Sequence, residues 1–166
     1  MNKRTGIYII LLMASQFLSC YSFKGISIPP DVTTFFVANL ETRSTAVPVS
    51  FPAQFAENLK NKIRNESRLQ YKDVDPDISF AGTITDYRIS PVAPKPGESA
   101  SINRLDVSIE IQFTNTKNDK ENWKQSFKHF ADFSANENLL DVQDKLLVTI
   151  SDQLLEDIFN RAFTNW

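Results

Sequence analysis

Three stretches of the chain alternate between apolar and polar residues, which is the repeat of a half-buried β-strand. The most regular of them runs from Leu105 to Thr114, where every second residue is apolar. Because successive side chains of a strand point to opposite faces of a sheet, this segment predicts one buried face and one solvated face. Shorter alternations run from Ile78 to Ile84 and from Trp123 to Phe133. Joined by hairpin-like connections, the three segments predict an antiparallel meander.

A fourth strand is predicted ahead of these, from Val32 to Leu40. It is rich in β-branched and aromatic residues, and its apolar side chains occur at both parities, which is typical of a central strand covered on both faces. The alternation that begins at Ile78 changes phase at Asp86 and Tyr87. One extra residue in the strand produces such a change, so we expect a β-bulge between Gly82 and Tyr87.

An amphipathic helix is predicted between the first and second strands. Apolar residues recur there at three- and four-residue spacing from Phe51 to Arg68, and charged residues occupy the positions between them. Ser50 precedes this segment as the expected N-cap, and Pro52 lies in the first turn, where a missing backbone N–H is tolerated. The single apolar stripe predicts that this helix packs on the sheet.

A second amphipathic helix is predicted near the end of the chain, from Leu139 to Phe163. Ser134 and Glu137 lie ahead of it with the spacing of a capping box, in which each side chain bonds the backbone N–H of the other residue. Trp166 follows the helix. Burial of its ring would contribute about 2 kcal/mol, so we expect it to pack on the sheet.

The predicted order of elements is therefore β-α-β-β-β-α. Each helix has one apolar stripe, and the strands of the meander have one apolar face each. This combination predicts an α+β fold, a two-layer sandwich with both helices packed on one face of a four-stranded, mixed and mostly antiparallel sheet. The segment from Ser90 to Ser101 contains three of the eight prolines and is predicted to be a loop carried by this sheet.

The first twenty residues have the pattern of a secretory signal. A basic pair precedes an apolar segment from Ile7 to Leu18, which is too short for a helix that spans a bilayer. The tripeptide Leu-Ser-Cys that ends at Cys20 resembles the lipobox of bacterial lipoproteins, although Phe17 stands where the lipobox usually has leucine. That resemblance implies acylation of the Cys20 thiol and cleavage before it. A plain signal peptide with a coincidental cysteine is the alternative.

The lipoprotein interpretation divides the chain at Cys20. Residues 1–19 are the predicted signal peptide, residues 20–31 a lipidated tether, and residues 32–166 a single domain. The 147 residues that remain after cleavage carry 16 basic and 20 acidic side chains, and an acidic chain is not expected to bind nucleic acid. With no second cysteine the domain has no internal disulfide. A multiply acylated cysteine would hold this domain on a membrane.

The chain lacks the residue patterns that catalysis usually requires. Its one histidine, His129, lies on the apolar side of a predicted strand, where a hydrogen-bonded core or edge histidine is expected. The sequence has no Gly-x-Ser-x-Gly motif and no glycine-rich phosphate loop. We therefore predict a protein that is not an enzyme, with no catalytic residue and no cofactor.

Three aspartates, Asp73, Asp75 and Asp77, alternate around Pro76. Carboxylates at this spacing occur in calcium loops, but the glycine and the distal glutamate of an EF-hand are missing here. The segment therefore predicts a solvated turn and no metal site.

Binding is the remaining kind of function, and the predicted loop from Ser90 to Ser101 offers a place for it. Arg88 precedes this loop, Lys95 lies within it and Arg104 follows it. Guanidinium and ammonium groups are the side chains that bind phosphate best. The three cations are therefore the candidate binding residues for an anionic ligand. Ordinary surface charges without a ligand are the alternative.

Several separate patches of the sequence resemble one protein family. They are Ser22-Phe23, Ser27 to Val32, Gly82 to Tyr87, Pro91-Val92, Asn103 to Leu105, Ala131 to Phe133 and Glu156 to Trp166. Together with the Leu-Ser-Cys tripeptide, they are similar to the Bacteroidetes branch of the LptE family, the outer-membrane lipoproteins of lipopolysaccharide assembly. The resemblance covers essentially the whole chain after the predicted signal.

The resemblance implies a partner, a ligand and a location. In the LptE family the lipoprotein is a plug inside the large β-barrel LptD, assists the assembly of that barrel, and binds lipopolysaccharide. For this chain it implies a lipid-anchored protein of the outer membrane that faces the periplasm, with Arg88, Lys95 and Arg104 as candidate lipopolysaccharide-binding residues. The alternative is a structural or pilot lipoprotein of another envelope complex that binds no lipopolysaccharide.

Overall fold

The computed structural model describes residues 27–93 and 101–164. Within them the chain forms six strands and two α-helices. In order these are β1 (Thr34–Val37), β2 (Glu41–Thr42), α1 (Phe51–Glu66), β3 (Gln70–Tyr71), β4 (Ile78–Val92), β5 (Ile102–Asn115), β6 (Trp123–Ser134) and α2 (Leu139–Phe163). A short 3-10 turn, Asp119–Glu121, lies between β5 and β6.

All six strands belong to one mixed sheet with the order β3-β1-β4-β5-β6, in which β2 also lies beside β4. β1 is parallel to β3 and β4, and β2 is parallel to β4, while β4, β5 and β6 form an antiparallel meander. The α+β class and the mixed sheet predicted from the sequence are confirmed, but the prediction of four strands is wrong. The additional strands, β2 and β3, have two residues each, which is too short to produce a hydrophobic period.

β1 and β2 are two parts of one interrupted strand along β4. The register with β4 shifts by one residue between the two parts, so the chain makes a bulge there. Leu40 lies in this bulge and turns into the core. It packs against Gly82, where an added Cβ would lie 3.2 Å from Leu40 Cγ and 2.7 Å from Ile111 Cδ1. Glycine at position 82 therefore leaves room for the side chains of Leu40 and Ile111.

The two helices cover one face of the sheet. Alternate residues of β5 from Leu105 to Phe113 are buried on that face, as the alternation predicts. The ring of Phe80 in β4 contacts that of Phe163 in α2, with centroids 6.1 Å apart. The helices bury Phe55, Leu59, Ile63, Leu146, Leu147, Ile150, Leu154 and Ile158 in the same core. Within the described residues, neither helix has the length and apolarity that a crossing of a bilayer requires.

The helices begin where the sequence predicts, but their N-terminal caps differ from the prediction. Ser50 has the N-cap position of α1, yet its side chain makes no capping hydrogen bond. The N-cap of α2 is Asn138, whose side-chain oxygen accepts the backbone N–H of Leu140 at 3.2 Å. Glu137 does accept the backbone N–H of Ser134, at 3.1 Å. That contact closes the turn between β6 and α2 instead of capping the helix, because Asn138 already occupies the cap.

β4 and β5 form a long hairpin whose first arm extends beyond the predicted strand. β4 continues to Val92, so the prediction of a loop from Ser90 onward is wrong for its first three residues. Pro91 is tolerated because, after Ile84, the described chain has no strand on the other side of β4, and an open edge accepts a residue without an N–H. The predicted β-bulge is confirmed by a register shift directly after Ile84.

Both ends of the described chain meet at one end of the sheet, which we call the terminal end. There the backbone N–H of Ser27 donates to the carbonyl of Phe163 at 2.8 Å, and Ile28 is partly buried against the core. The opposite end of the sheet, where β4 leads into β5, we call the hairpin end. The predictions for Cys20 and Trp166 concern residues that lie outside the described ranges.

Asp77, near the terminal end, is not the solvated turn residue that the sequence predicts. Its Oδ2 accepts hydrogen bonds from the backbone N–H groups of Thr33 and Thr34, at 2.9 and 3.0 Å, and from the Thr33 hydroxyl at 2.9 Å. Its Oδ1 lies 3.1 Å from Lys117 Nζ. The backbone hydrogen bond from Thr33 is the main reason that the pKa of Asp77 lies well below its ordinary value. The carboxylate therefore joins the start of β1 to the start of β4.

Candidate functional site

The face of the sheet opposite the helices carries mainly polar and charged side chains. It follows from the alternation of β4, β5 and β6, because the residues between the buried ones point the other way. We call this surface the open face. Its members include Thr83, Arg88, Ser90, Arg104, Asp106, Ser108, Glu110, Gln112, Lys124, Lys128, Phe130 and Asp132. Arg88 and Arg104, two of the three cations predicted to bind a ligand, lie on it.

Seven residues of the open face lie together toward the hairpin end, and we call them the hairpin cluster. They are Arg88, Ser90, Arg104, Asp106, Lys128, Phe130 and Asp132. In the register of the hairpin, Arg88 pairs with Asp106 and Ser90 pairs with Arg104. Arg88 and Arg104 are therefore diagonal neighbours, and residues in this arrangement are about 7–8 Å apart. Lys95, the third predicted cation, lies in residues 94–100, outside the described ranges.

Arg104 is held by two neighbours on β6. Its Nε lies 2.7 Å from Asp132 Oδ1 and its Nη2 lies 2.9 Å from Asp132 Oδ2, which is a bidentate pair. Its guanidinium carbon lies 3.7 Å from the centroid of the Phe130 ring. The hydrogen bonds from Arg104 hold the pKa of Asp132 below its ordinary value, and the same contact raises the pKa of Arg104. Arg104 is thus fixed in place and charged, with N–H groups left over for a ligand.

Asp106 is a buried carboxylate within the open face. It is 5% exposed, because the side chains around it cover it. Its Oδ1 lies 3.1 Å from Lys128 Nζ, and its Oδ2 accepts a long hydrogen bond of 3.4 Å from the Ser90 hydroxyl. A carboxylate buried on a sheet needs such partners, and each of them comes from a neighbouring strand. Asp106 therefore ties β4, β5 and β6 together beneath the surface of the hairpin cluster.

Arg88 is the most exposed cation of the hairpin cluster. Its side chain is 58% exposed, against 31% for Arg104 and 52% for Lys128. Its guanidinium contacts the carboxylate of Asp86 only at 3.6 Å, which is longer than a hydrogen bond. Arg88 is therefore the member that can turn toward an incoming anion with the least rearrangement.

The hairpin cluster can offer a ligand both charge and apolar surface. Arg88 and the remaining N–H groups of Arg104 can donate hydrogen bonds to phosphate oxygens. Phe130, which is 46% exposed, offers an aromatic edge beside them. Its three cations are balanced by the carboxylates of Asp86, Asp106 and Asp132, so the surface is not a strong positive patch. A phosphate would have to compete with Asp132 for Arg104.

Lys128, Phe130 and Asp132 were not predicted from the sequence as neighbours of the three cations. A signal for them existed in the alternation of the third strand of the meander, which puts all three on its polar side. Arg104 and Asp132 also lie fourteen residues on either side of Asn118, so a symmetric turn there makes them direct partners. The pairing of Arg104 with Asp132 could not be predicted, because the register of the turn around Asn118 does not follow from the alternation.

His129 lies on the helix side of β6, away from the hairpin cluster's face. Its Nε2 is 2.6 Å from Oδ2 of Asp157 in α2, and its side chain is 27% exposed. It is therefore a hydrogen-bonded edge histidine, as predicted. Its contact joins the edge strand to the helix above it.

A cleft of about 300 Å³ lies at the terminal end of the sheet. Ile78, Phe113, Trp123 and Phe163 form its apolar wall, and Arg161 lies at its polar side. Ser27, the first described residue, also lines it. This cleft is separated from the hairpin cluster by the length of β5.

Comparison with protein families gives one match that covers most of the domain. The sequence model of the LptE family, described as lipopolysaccharide assembly, matches residues 32–162. The matched segment begins just ahead of β1 and ends within the last turn of α2. A search of curated protein sequences found no match.

Solved structures resemble the fold at low sequence identity. A minor lipoprotein from Acinetobacter baumannii is 11% identical with a TM-score of 0.50, over 78% of this chain and 92% of that one. A protein from Xanthomonas campestris is 7% identical with a TM-score of 0.51, over 82% and 91% of the two chains. PelC from Paraburkholderia phytofirmans, solved as a dodecamer, is 8% identical with a TM-score of 0.50, over 86% and 95%. At such identities these likenesses show the fold alone.

Proposed function

The chain belongs to the LptE family of lipopolysaccharide-assembly proteins, and we propose that it acts as the plug and assembly partner of an LptD-type β-barrel in the outer membrane. The match over residues 32–162 is the observation that carries this proposal, because it spans every strand and nearly all of the second helix. The family consists of outer-membrane lipoproteins of lipopolysaccharide assembly and is not a family of enzymes. The proposal has three further parts, which are the barrel partner, the lipopolysaccharide ligand and the lipid anchor.

The open face supports a role inside a barrel. The interior of a large outer-membrane barrel is polar, so a plug must present polar surface to it. On the open face, Lys124 lies 2.9 Å from Glu110 and Lys128 lies 3.1 Å from Asp106, so these charges are already paired within the sheet. A surface of paired charges can contact a polar wall without leaving an isolated charge unpaired.

The proposed attachment to the membrane is through Cys20. In this proposal residues 1–19 are removed, the thiol is acylated, and residues 20–31 connect the lipid to the domain of residues 32–166. The intact mass of the purified protein tests it. We expect loss of the first nineteen residues together with the added mass of lipid, and neither change in a Cys20→Ser variant. A protein cut elsewhere, or cut without added lipid, would support the plain signal peptide instead.

We further propose that Arg88, Lys95 and Arg104 bind the phosphate groups of lipopolysaccharide. Arg88 and Arg104 are diagonal neighbours on the open face, with the exposed ring of Phe130 beside Arg104. This combination suits an amphipathic ligand whose phosphates need donors and whose apolar parts need a surface. Lys95 belongs to the proposal by its place between β4 and β5 in the sequence.

Capture of the barrel partner tests the main proposal. The full chain, solubilised with the outer membrane in mild detergent, should carry an LptD-type barrel through purification. Depletion of the chain should lower the amount of correctly assembled barrel. If the barrel assembles normally in depleted cells and does not copurify, the plug proposal is wrong.

Lipopolysaccharide binding is tested separately on the purified protein. A variant with Arg88→Ala, Lys95→Ala and Arg104→Ala should bind at least tenfold more weakly than the unaltered chain. Lys124→Ala is the matched control, since this lysine lies on the same face and is as exposed as Arg88, at 58%. Its affinity should change less than twofold. If the loss of binding free energy per removed charge is the same in both variants, only net charge matters and the three residues are removed from the proposal.

A second candidate function is a structural or pilot lipoprotein of another envelope complex without affinity for lipopolysaccharide. The bidentate pair between Arg104 and Asp132 favours it, because this carboxylate already occupies the side of the guanidinium that binds an oxyanion best. Absence of lipopolysaccharide binding, together with copurification of a different envelope protein, would establish this alternative.

A further inference from the structure

β6 forms one edge of the sheet in the part of the chain that the structure describes. It has twelve residues, Trp123–Ser134, and all of them are in register with β5 on one side. Its other side therefore presents unpaired backbone N–H and C=O groups along a regular strand. Proteins usually protect such an edge with free charges, a proline or a bulge, because it can pair with another strand.

The charges on the open-face side of β6 are not free but paired within the sheet. Lys124 lies 2.9 Å from Glu110, and Lys128 lies 3.1 Å from Asp106. Asp132 is bonded to Arg104. The partners of these three side chains, Arg104, Asp106 and Glu110, all belong to β5. Each charged side chain on this side of β6 therefore points toward β5, away from the free edge. The strand contains neither proline nor a register shift. It is a long, regular edge whose charged side chains are paired within the sheet.

We propose that this edge pairs with β6 of a second copy of the chain, in an antiparallel arrangement centred on Phe130. A two-fold axis perpendicular to the sheet relates the copies, so residues on the open face meet residues on the open face. In this register Phe130 lies opposite its own copy, and Lys128 lies opposite Asp132 of the other copy. On the helix side Phe127 lies opposite Phe133. Opposite charges and aromatic pairs at directly facing positions stabilise strand pairing.

Three other two-fold registers on this strand bring like charges together. A pairing centred on Lys128 puts two lysines face to face, and one centred on Asp132 does the same with two aspartates. A pairing centred on Ser126 puts Lys124 opposite Lys128. Directly opposed like charges are destabilising, and among the two-fold registers of β6 only the one centred on Phe130 puts Lys128 directly opposite Asp132. It also explains an exposed aromatic ring on a polar face: Phe130 is 46% exposed and is the self-facing residue of that register.

The charged contacts of the single chain are kept in the pair. Asp132 keeps its hydrogen bonds to Arg104 and gains Lys128 of the other copy, and Lys128 keeps Asp106. Charges of alternating sign then run across the interface in both directions. The inference does not rest on the proposed function, because it concerns the chain alone.

Cysteine cross-linking tests the register. Facing residues of an antiparallel pair have Cα atoms about 4.5–5.5 Å apart, which is within disulfide range. Phe130→Cys in the full chain should therefore form a reducible dimer under mild oxidation. Lys124→Cys is the matched control on the same strand face. In the proposed register it is displaced by twelve residues from its own copy, about 40 Å, and should not cross-link. The unaltered chain, oxidised in parallel, shows what Cys20 contributes.

Charge reversal tests the facing pair. Lys128→Asp and Asp132→Lys should each weaken dimerisation at least tenfold in sedimentation of the full chain at increasing concentration. The double variant should recover to within about threefold of the unaltered chain, since the attraction is restored with reversed sign. Far-ultraviolet circular dichroism and thermal unfolding show that each variant is folded. Lys124→Asp makes the same change of charge outside the facing segment and should leave dimerisation unchanged.

A dimer that cross-links at Phe130→Cys and is rescued by the double variant supports the proposal. Equal cross-linking of both cysteine variants means random collision and overturns it. A chain that remains monomeric at every concentration and does not cross-link also overturns the proposal. The edge of β6 would then be available for pairing with residues 21–26 or with a strand of another protein.

Discussion

The two ends of the sheet each contain a carboxylate with a lowered pKa, and the two are held in different ways. At the terminal end, Asp77 accepts hydrogen bonds from backbone N–H groups of the segment that begins β1. In the hairpin cluster, Asp132 is held by the side chain of Arg104. A backbone donor cannot leave without unfolding its strand, whereas a guanidinium can turn to another partner. The first arrangement stabilises the fold, and the second can exchange with a ligand.

Replacement of Asp77 should have the largest effect on stability. Asp77→Ala removes three hydrogen bonds to a charged acceptor and leaves two backbone N–H groups of Thr33 and Thr34 without their partner. We expect a loss of about 2 to 3 kcal/mol in the free energy of unfolding, measured by urea denaturation. Asp31→Ala is the control, since Asp31 is exposed and only two residues from Thr33. Equal effects of the two substitutions would contradict a structural role for Asp77.

A substitution at Gly82 tests the middle of the sheet, where stability depends on close packing rather than on side-chain hydrogen bonds. Gly82→Ala places a Cβ 2.7 Å from Ile111 Cδ1 and 3.2 Å from Leu40 Cγ, so one of these side chains must move. We expect a loss of about 1 to 3 kcal/mol, measured in the same way. Ala81→Ser, at the exposed neighbouring position, should have little effect. If Gly82→Ala is neutral, Leu40 can shift freely and the bulge between β1 and β2 is not tightly packed.

The dependence of stability on pH should distinguish the two ends further. Because the pKa of Asp77 is lowered in the folded state, its contribution is complete above the ordinary aspartate pKa of about 3.9 and is lost as the pH falls through the lower folded value. Urea denaturation between about pH 6 and pH 2.5 should therefore show a steeper loss for the unaltered chain than for Asp77→Asn. Asp132→Asn should change the slope much less, since this carboxylate is more exposed. Parallel curves for all three proteins would refute the assignment.

Asp132→Asn should have the smallest effect on stability and a measurable effect on binding. It removes the carboxylate that competes with a phosphate for Arg104, and an exposed ion pair contributes little to folding. We expect an unfolding midpoint close to that of the unaltered chain and an affinity for lipopolysaccharide about threefold higher, because a repelling charge is gone. Isothermal titration calorimetry measures the affinity. An affinity that falls would mean that Asp132 positions Arg104 for the ligand rather than competing with it.

Much of the fold could be predicted from the sequence because its long elements are periodic. The alternation from Leu105 to Thr114 and the apolar stripe from Leu139 to Phe163 each span enough residues to fix which side is buried. The phase change near Asp86 also predicted a real bulge. These features are local, so they can be read from neighbouring residues.

The missed features depend on contacts between distant segments. β2 and β3 are two-residue strands that exist only because the chain passes beside β4 and β1. The role of Asp77 depends on Thr33, 44 residues earlier, and no periodicity links them. The extension of β4 through Pro91 depends on which side of the strand is open. Each of these follows from strand order, which the alternation of a single strand does not contain.

The candidate site was predictable only in part for the same reason. Arg88 and Arg104 were found from their charge and their position near the predicted loop, and the structure places them as neighbours. The partners that modify them, Asp132 and Phe130, come from β6 and depend on the register of the turn around Asn118. A cation identified from sequence is therefore a candidate donor, while its availability is decided by the strand beside it.

The position of Ser27 beside Phe163 has a consequence for where a ligand comes from. β5 has fourteen residues and measures about 45 Å from the terminal end to the hairpin end. If the domain is anchored through Cys20, as proposed, and stands on its terminal end, Arg104 lies about 35 Å from the bilayer surface, because it is eleven residues along β5 from Asn115. At physiological salt, charges are screened within about 8 Å, so headgroups of the anchoring leaflet exert no pull on Arg88 or Arg104. In that orientation an anionic lipid must be handed to the cluster by another protein, since it cannot be drawn from the leaflet that holds the anchor.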